Sequence, residues 1–194
     1  DWEFLGIADH SQILNIGGRQ IGADAEDLLE QGEKIRSLNE MWSDGGKNFR
    51  LLHGAECDIL PDGSLDYDDE IRQQLSHVVA SVHQLSTWRA RDEVENTEAL
   101  IKAIEDPTCT ILGHPTGRIL QVREGYDVDM HAVLRRMGEL NAEGELKSVE
   151  INASPYRLDL DWRFCHFARD QGVPVCINPD AHDTTGLRNV WFGV

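Results

Sequence analysis

Val173-Pro174-Val175-Cys176-Ile177 is a short apolar run that leads directly into Asn178-Pro179-Asp180-Ala181-His182. A run of this length before turn residues predicts a buried β-strand. Because side chains alternate along extended backbone, Asp180 and His182 should lie on the same side of the chain. Carboxylate oxygen and imidazole nitrogen both bind zinc, manganese or iron. The stretch therefore predicts a strand that ends at a divalent-metal site.

Four other apolar runs end in a residue of the same chemical kind. They lead into His10, Glu56, His83 and His114. Helical patterns separate the runs, and the clearest of these spans residues 127–140 with an apolar stripe on one side. Alternation of strands and helices predicts a parallel sheet with right-handed crossovers. So many units without a break in composition favour a β/α barrel over two domains.

The predicted chemistry lies at the ends of these strands, where β/α barrels build their active sites. The candidate ligands are imidazoles and carboxylates without a thiolate, which is typical of a catalytic multi-metal centre rather than a structural zinc site. Such a centre binds a phosphate and activates water for in-line attack. Taken singly, each residue also has an ordinary interpretation, as a loop histidine, a surface carboxylate or a helix cap. The other histidines lie inside or before predicted strands or on predicted helices, and we predict that they do not bind metal: His53, His77, His131 and His166.

The composition predicts one domain with a sizeable core, since 40% of the 194 residues are hydrophobic and 27% are charged. No apolar run approaches the roughly 18 residues that a membrane span needs. The formal net charge of −17 disfavours a free-standing nucleic-acid-binding module and suits a protein that binds divalent cations. The four cysteines are widely spaced within apolar runs, so we expect free thiols in a reducing cytoplasm.

Several motifs resemble those of the polymerase-and-histidinol-phosphatase (PHP) family of metal-dependent phosphoesterases. The similarity is greatest to the C-terminal PHP domain of bacterial and archaeal family X DNA polymerases, and it covers essentially the whole chain. The motifs that carry it are Ala8-Asp9-His10-Ser11, Gly54-Ala55-Glu56-Cys57-Asp58-Ile59-Leu60-Pro61-Asp62-Gly63, Ala80-Ser81-Val82-His83, Leu112-Gly113-His114-Pro115-Thr116-Gly117-Arg118, Glu150-Ile151-Asn152-Ala153 and Asn178-Pro179-Asp180-Ala181-His182. The second and fourth of these are the most specific to this branch.

The resemblance implies a distorted seven-stranded β/α barrel that holds two or three divalent ions of zinc, manganese or iron. It implies six metal ligands in this chain: His10, Glu56, His83, His114, Asp180 and His182. Glu56 would bridge two metals, with His83 and His114 completing the site of one and Asp180 binding the other. The remaining two histidines would hold the third metal.

Three further residues are expected to act on the substrate or on the ligands. Asp9 would orient a metal ligand without binding the metal itself. Arg118 and Arg157 are candidates to bind the substrate phosphate, because a guanidinium matches a phosphate through two parallel hydrogen bonds. Their alternative role is to form ordinary ion pairs at the rim of the barrel.

The chain departs from the family pattern at its start. The family opens with a strand that carries His-x-His, and this chain begins after that point. A stretch that resembles the end of the motif does occur later, at Met41-Trp42-Ser43-Asp44-Gly45, but it lies at the end of a predicted helix. We therefore expect residues 1–194 to be a single PHP-type domain truncated at both ends, without its first strand. The alternative is a naturally shortened protein with an incomplete metal centre.

Three functions are consistent with these features. The first is metal-dependent hydrolysis of phosphoesters, as a 3′→5′ exonuclease or 3′-end processing enzyme on DNA presented by an attached polymerase domain. The second is a free-standing small-molecule phosphatase of the histidinol-phosphatase type, which shares the site and differs in substrate. The third is a non-catalytic structural module. The sequence does not indicate an oligomeric state.

Overall fold

The computed structural model describes residues 2–16 and 18–194, and its main feature is one parallel sheet. The strands in chain order are β1 (Phe4–His10), β2 (Asn15–Ile16), β3 (Arg19–Gln20), β4 (Arg50–Asp58), β5 (His77–Ser81), β6 (Ile111–Leu112), β7 (Ser148–Asn152) and β8 (Val175–Asn178). Six of them form the sheet in the order β1-β4-β5-β6-β7-β8, and β2 pairs with β3 in a separate antiparallel ribbon. Every pairing within the large sheet is parallel, as the alternating sequence pattern predicts.

Helices connect the strands of the large sheet. They are α1 (Ala25–Asp44), α2 (Asp69–Arg72), α3 (Leu85–Arg89), α4 (Glu93–Glu105), α5 (Met130–Ala142) and α6 (Cys165–Asp170), with 3₁₀ turns at Trp162–Phe164 and Gly186–Gly193. Aspartates begin the longer helices: the side chains of Asp24, Asp92 and Asp129 each accept a hydrogen bond from a backbone N–H of the first turn. None of the helices in residues 2–16 and 18–194 has the length and apolar character to cross a membrane.

The hydrophobic core lies between the sheet and these helices. The apolar stripe of α5 is fully buried: Met130, Val133, Leu134, Met137 and Leu140. It packs with Leu100 and Ile104 of α4, which are fully buried, and with the outward side chains of the strands, such as Cys57. All four cysteines are free thiols. Because the core covers one face of the sheet, the other face is left for the polar side chains of the site.

The sheet curls so that its two edges approach each other at one end. In a flat sheet, six strands at about 4.8 Å spacing would place the edge strands about 24 Å apart. The ring of His10, at the end of β1, nevertheless lies 5.7 Å from the ring of His182, just beyond β8. The carboxyl ends of all six strands therefore surround one space, as in a β/α barrel.

The structure confirms the α/β class with a parallel, curled sheet. The residues described contain six strands in the sheet, so the seventh strand and the missing first strand remain predictions. The apolar pattern of residues 190–194 predicts one more strand, and this prediction is wrong, because the segment lies in a 3₁₀ turn, Gly186–Gly193. A short apolar run does not distinguish a strand from a packed turn. Here Gly193 packs so closely on the side chain of Ile177 that a Cβ would lie 2.5 Å from it.

Candidate metal centre

Glu56 lies at the centre of the candidate site, near the end of β4. Parallel pairing sets it directly opposite His10 of β1. Its Oε2 atom is 3.2 Å from Nδ1 of His10, and its Oε1 atom is 3.3 Å from Nε2 of His83 and 3.0 Å from Nε2 of His114. The carboxylate is almost entirely buried. One buried carboxylate thus meets three imidazoles, each from a different strand end.

A second carboxylate, Asp58, orients His83, a role that was not predicted from the sequence. The Nδ1 atom of His83 is 2.8 Å from Oδ1 of Asp58, while its Nε2 atom faces Glu56. The same aspartate oxygen accepts the backbone N–H of His83 at 3.2 Å. A carboxylate behind a histidine in this way fixes the ring and its tautomer for metal binding. The sequence does contain a signal for this role. Asp58 is two residues after Glu56, and strand alternation places both side chains on one face of the sheet.

His114 is held in place by a carboxylate beneath the site, Glu150 of β7. The backbone N–H of His114 donates to Oε2 of Glu150 at 2.7 Å, and Asn178 donates to Oε1 at 2.8 Å. Burial raises the pKa of Glu150 to about 7. His114 has a φ of 21°, an unusual backbone conformation for a residue with a side chain. Glu150 lies in a motif that the sequence analysis singled out, but its support of the His114 loop was not predicted.

Asp180 and His182 lie at the rim of the cluster rather than at its centre. Asp180 accepts a hydrogen bond from Nδ2 of Asn152 at 3.0 Å, and its Oδ2 atom lies 3.4 Å from Nε of Arg157. The side chain of His182 is 70% exposed, although its ring stands close to that of His10. The structure therefore brings the six predicted ligands to one end of the sheet, where three of the histidines contact Glu56.

Two of the predicted auxiliary residues are not brought to the cluster. Asp9 is exposed and accepts a hydrogen bond from Gln31 of α1, because strand alternation turns it to the face opposite its neighbour His10. Arg118 donates to the carbonyls of Arg157 and Leu158 and to Asp161 at 2.9 Å, so its guanidinium is occupied within the loop. The catalytic roles predicted for Asp9 and Arg118 stay predictions without a contact to support them.

The chain is similar to enzymes that act on phosphate esters. No protein-family model matches the sequence. It is 36% identical over 193 residues to the DNA polymerase/3′-5′ exonuclease PolX of Bacillus subtilis, covering all of this chain and 31% of that protein. It is 29% identical over 180 residues to a probable phosphatase of Clostridium acetobutylicum, covering 88% of this chain and 71% of that protein. The chain thus spans about a third of the Bacillus protein's length.

Among solved structures, the fold is similar to that of a candidate phosphatase. It matches the candidate histidinol phosphatase hisK of Listeria monocytogenes with a TM-score of 0.69 and 14% identity, covering 96% of this chain and 86% of that one. These similarities agree with the motifs and with the geometry at the strand ends. The chain belongs to the PHP family.

The residues present in this PHP site fit a divalent metal. His10, Glu56 and His83 are the one group in residues 2–16 and 18–194 whose His, Cys or carboxylate ligand atoms all lie within 4.8 Å of one another. Nδ1 of His10 and Nε2 of His83 are buried and have no hydrogen-bond partner, although both lie beside oxygens of Glu56. Buried polar atoms are normally paired. Imidazole nitrogens and a carboxylate that converge in this way are the ligand types that divalent metals bind.

The charges in the PHP site are set by burial and by the carboxylate–imidazole contacts. Burial acts to raise the pKa of Glu56, but the close imidazoles of His114 and His83 outweigh it and hold that pKa well below its ordinary value. Burial acts to lower the pKa of His83, but Asp58 and Glu56 outweigh it and raise the pKa to about 10. Burial lowers the pKa of His10. At neutral pH the metal-free site therefore holds an ionised Glu56, a protonated His83 and a neutral His10.

We expect the metal affinity of the metal-free protein to rise about tenfold per pH unit between about pH 6 and pH 8. A metal must displace the proton of His83, whose pKa of about 10 lies above this range, whereas the lowered pKa values of Glu56 and His10 favour their deprotonated forms. Raising the pH lowers the free-energy cost of removing this proton, so the metal affinity increases with pH. Calorimetric titration with Zn²⁺ in two buffers of different ionisation enthalpy measures the number of protons released per metal ion bound. We expect this number to be close to one.

Asp58→Asn should flatten this pH dependence, because the substitution removes the first of the carboxylates that raise the pKa of His83. Asp62→Asn is the matched control, since Asp62 is an exposed aspartate four residues further along the chain. The control should keep the slope of the unaltered protein. A slope that is the same in both variants would show that His83 is not the group from which the proton is released.

Proposed function

We propose that the chain hydrolyses phosphate esters at a divalent-metal centre, and that its substrate is the 3′ end of a DNA strand. The observation that carries the proposal is the buried Glu56 carboxylate in contact with His10, His83 and His114 at the carboxyl ends of parallel strands. We assign two or three ions of zinc, manganese or iron to the six predicted ligands. Bound there, the metals would supply a Lewis acid for the phosphate and an acidified water.

The choice of DNA as the substrate is supported by the relative from Bacillus subtilis, which is named a polymerase and 3′-5′ exonuclease. A polymerase region that presents the DNA belongs to this proposal as well. Hydrolysis of a small phosphomonoester is the second candidate. The Clostridium acetobutylicum relative, named a probable phosphatase, and the Listeria monocytogenes fold relative support that candidate to a similar degree.

The protein's own side chains would orient the ligands and bind the substrate. Asp58 holds the ring of His83 so that Nε2 faces the centre. Arg157 is the residue we assign to the substrate phosphate, because its Nη1 atom is buried without a hydrogen-bond partner in the described structure and it lies beside Asp180. Arg118 donates to the carbonyl of Arg157, so it would keep the loop in place rather than contact substrate.

The test is metal removal followed by restoration, with two substrates in parallel. The protein is dialysed against a chelator and then supplied with Zn²⁺, Mn²⁺ or Fe²⁺. Hydrolysis is measured on a 5′-labelled single-stranded oligonucleotide and on histidinol phosphate. We expect no activity without metal and shortening of the oligonucleotide from its 3′ end with it. Hydrolysis of histidinol phosphate but not of the oligonucleotide would favour the small-molecule phosphatase. Hydrolysis of neither substrate would favour the non-catalytic structural module.

A further inference from the structure

Three arginines lie in segments that follow neighbouring strands, at the end of the sheet that carries Glu56, in a chain whose net charge is −17. Arg89 ends α3, which follows β5; Arg123 lies in the segment after β6; and Arg157 lies in the loop after β7. These strands are neighbours in the sheet. All three side chains therefore come from loops at the end of the sheet that carries Glu56.

Hydrogen bonds join the loops that carry Arg123 and Arg157. Residues 119–123 form a tight turn, in which the N–H of Ile119 donates to the carbonyl of Arg123 at 3.0 Å and the N–H of Arg123 donates back at 2.9 Å. The N–H of Leu120, within the turn, donates to the carbonyl of Tyr156 at 2.7 Å. The turn is thus fixed against the residue that precedes Arg157.

The same turn packs against the helix that carries Arg89. Nε of Arg123 donates to the carbonyl of Gly117 at 3.3 Å. Gly117 packs against α3, since a Cβ at this glycine would lie 3.0 Å from Cδ1 of Leu85. Its φ of 64° also requires a glycine. Arg89 lies one helical turn beyond Leu85, so the three arginine-bearing segments form one continuous rim.

The arginine cluster is a concentration of positive charge that the acidic chain leaves largely uncompensated. Burial lowers the pKa of Arg123, and the positive charges of Arg157 and Arg89 lower it further. In residues 2–16 and 18–194, Arg157 is the one member with a carboxylate within ion-pairing distance, 3.4 Å from Asp180. Like charges held together are unfavourable unless an anion binds between them. The cluster is therefore arranged for an anionic ligand.

An exposed aromatic residue, Tyr156, precedes Arg157 in the same loop. The side chain of Tyr156 is 72% exposed, and its backbone carbonyl is fixed by the turn that carries Arg123. Guanidinium groups next to an exposed ring are the combination that binds single-stranded nucleic acids, with phosphates on the cations and bases stacked on the ring. A small phosphomonoester carries a single phosphate, which the candidate metal centre and Arg157 would bind, so it has no second anion for the other two arginines.

We infer that Arg89, Arg123 and Tyr156 form a second subsite, which binds the nucleotide next to the scissile phosphate. The two arginines bind its phosphate and Tyr156 stacks on its base, while Arg157 serves the phosphate at the metal centre. This inference rests on the proposed function and narrows its substrate to a strand of at least two nucleotides. Because the contact is confined to this arginine-bearing rim, a chain with a net charge of −17 would still be able to bind a polyanion.

The experiment measures binding of a fluorescein-labelled oligothymidylate, with a phosphorothioate at its 3′ end to prevent cleavage, to the metal-loaded full chain. Arg89→Ala and Arg123→Ala should each raise Kd about tenfold and lower the slope of log Kd against log salt by about 0.7, the value for one phosphate contact on a single strand. Arg123→Lys should keep the slope because it keeps the charge. Tyr156→Ala should raise Kd at least about fivefold, whereas Tyr156→Phe should not.

Arg136→Ala is the matched control, because Arg136 lies on α5 and pairs with Glu105 and Glu139 away from this rim. If the Arg89 and Arg123 variants bind the oligonucleotide as the control does, the subsite is overturned, even if the chain hydrolyses phosphate esters. If binding falls as expected but the protein hydrolyses no phosphate ester with any metal, the subsite stands and the proposed function fails.

Discussion

Glu56→Gln should lower kcat/KM for phosphate-ester hydrolysis by about a thousandfold or more. The carboxylate contacts three imidazoles at 3.0 to 3.3 Å and is the only acidic group of the three-residue ligand cluster in the part of the chain that is described. Glutamine has the same shape but no charge, so it cannot bridge or hold cations. Loss of a catalytic metal removes several kcal/mol of charge stabilisation, and each ~1.4 kcal/mol is a factor of ten in rate.

Three measurements separate this loss from unfolding. Metal content per mole should fall in Glu56→Gln, while far-ultraviolet circular dichroism and the urea midpoint should show a folded protein. Glu139→Gln provides the control, since Glu139 is an exposed carboxylate whose partner is Arg136 on the same helix. The control should keep its metal and its activity. A Glu56→Gln protein that keeps both would show that the buried carboxylate is not a metal ligand.

Arg72→Ala should lower the free energy of unfolding by about 3–5 kcal/mol without changing the metal affinity. The side chain of Arg72 is 4% exposed and lies at the end of the sheet opposite the metal centre, where β5 and β6 begin. It donates to Thr108 at 2.9 Å, to Asp106 at 2.6 Å and to the carbonyl of Tyr67. Alanine would leave these acceptors without their partner, and an unpaired buried acceptor is costly.

Urea denaturation measures this effect as a lower midpoint at an unchanged slope. Arg169→Ala is the control, because Arg169 is an exposed arginine paired with its neighbour Asp170, and such pairs contribute about 0–1 kcal/mol. Zinc titration of the refolded Arg72→Ala protein should give the affinity of the unaltered chain. A loss of stability no greater than that of Arg169→Ala would show that the network at this end of the sheet is not needed for the fold.

The strand ends that carry the candidate ligands could be predicted from local pattern alone. Short apolar runs that end in His10, Glu56, His83 and His114 indicated parallel strands with a shared site, and the structure places these four side chains in contact. The reason is that neighbouring parallel strands run in one direction, so their carboxyl ends meet. The same alternation rule, applied to one more residue, would have found Asp58 beside His83 and excluded Asp9 from the cluster face.

Contacts between loops could not be predicted in this way. Arg118 lies in a motif that suggested phosphate binding, but it donates to carbonyls 39 and 40 residues away. The support of His114 by Glu150 joins residues 36 positions apart, and the arginine rim depends on a turn that bonds to the next loop. Spacing along a strand determines which face a side chain occupies, because that geometry repeats every two residues. The partner that a loop side chain meets depends on strand register and loop packing, which are non-local, so the tertiary structure alone reveals it.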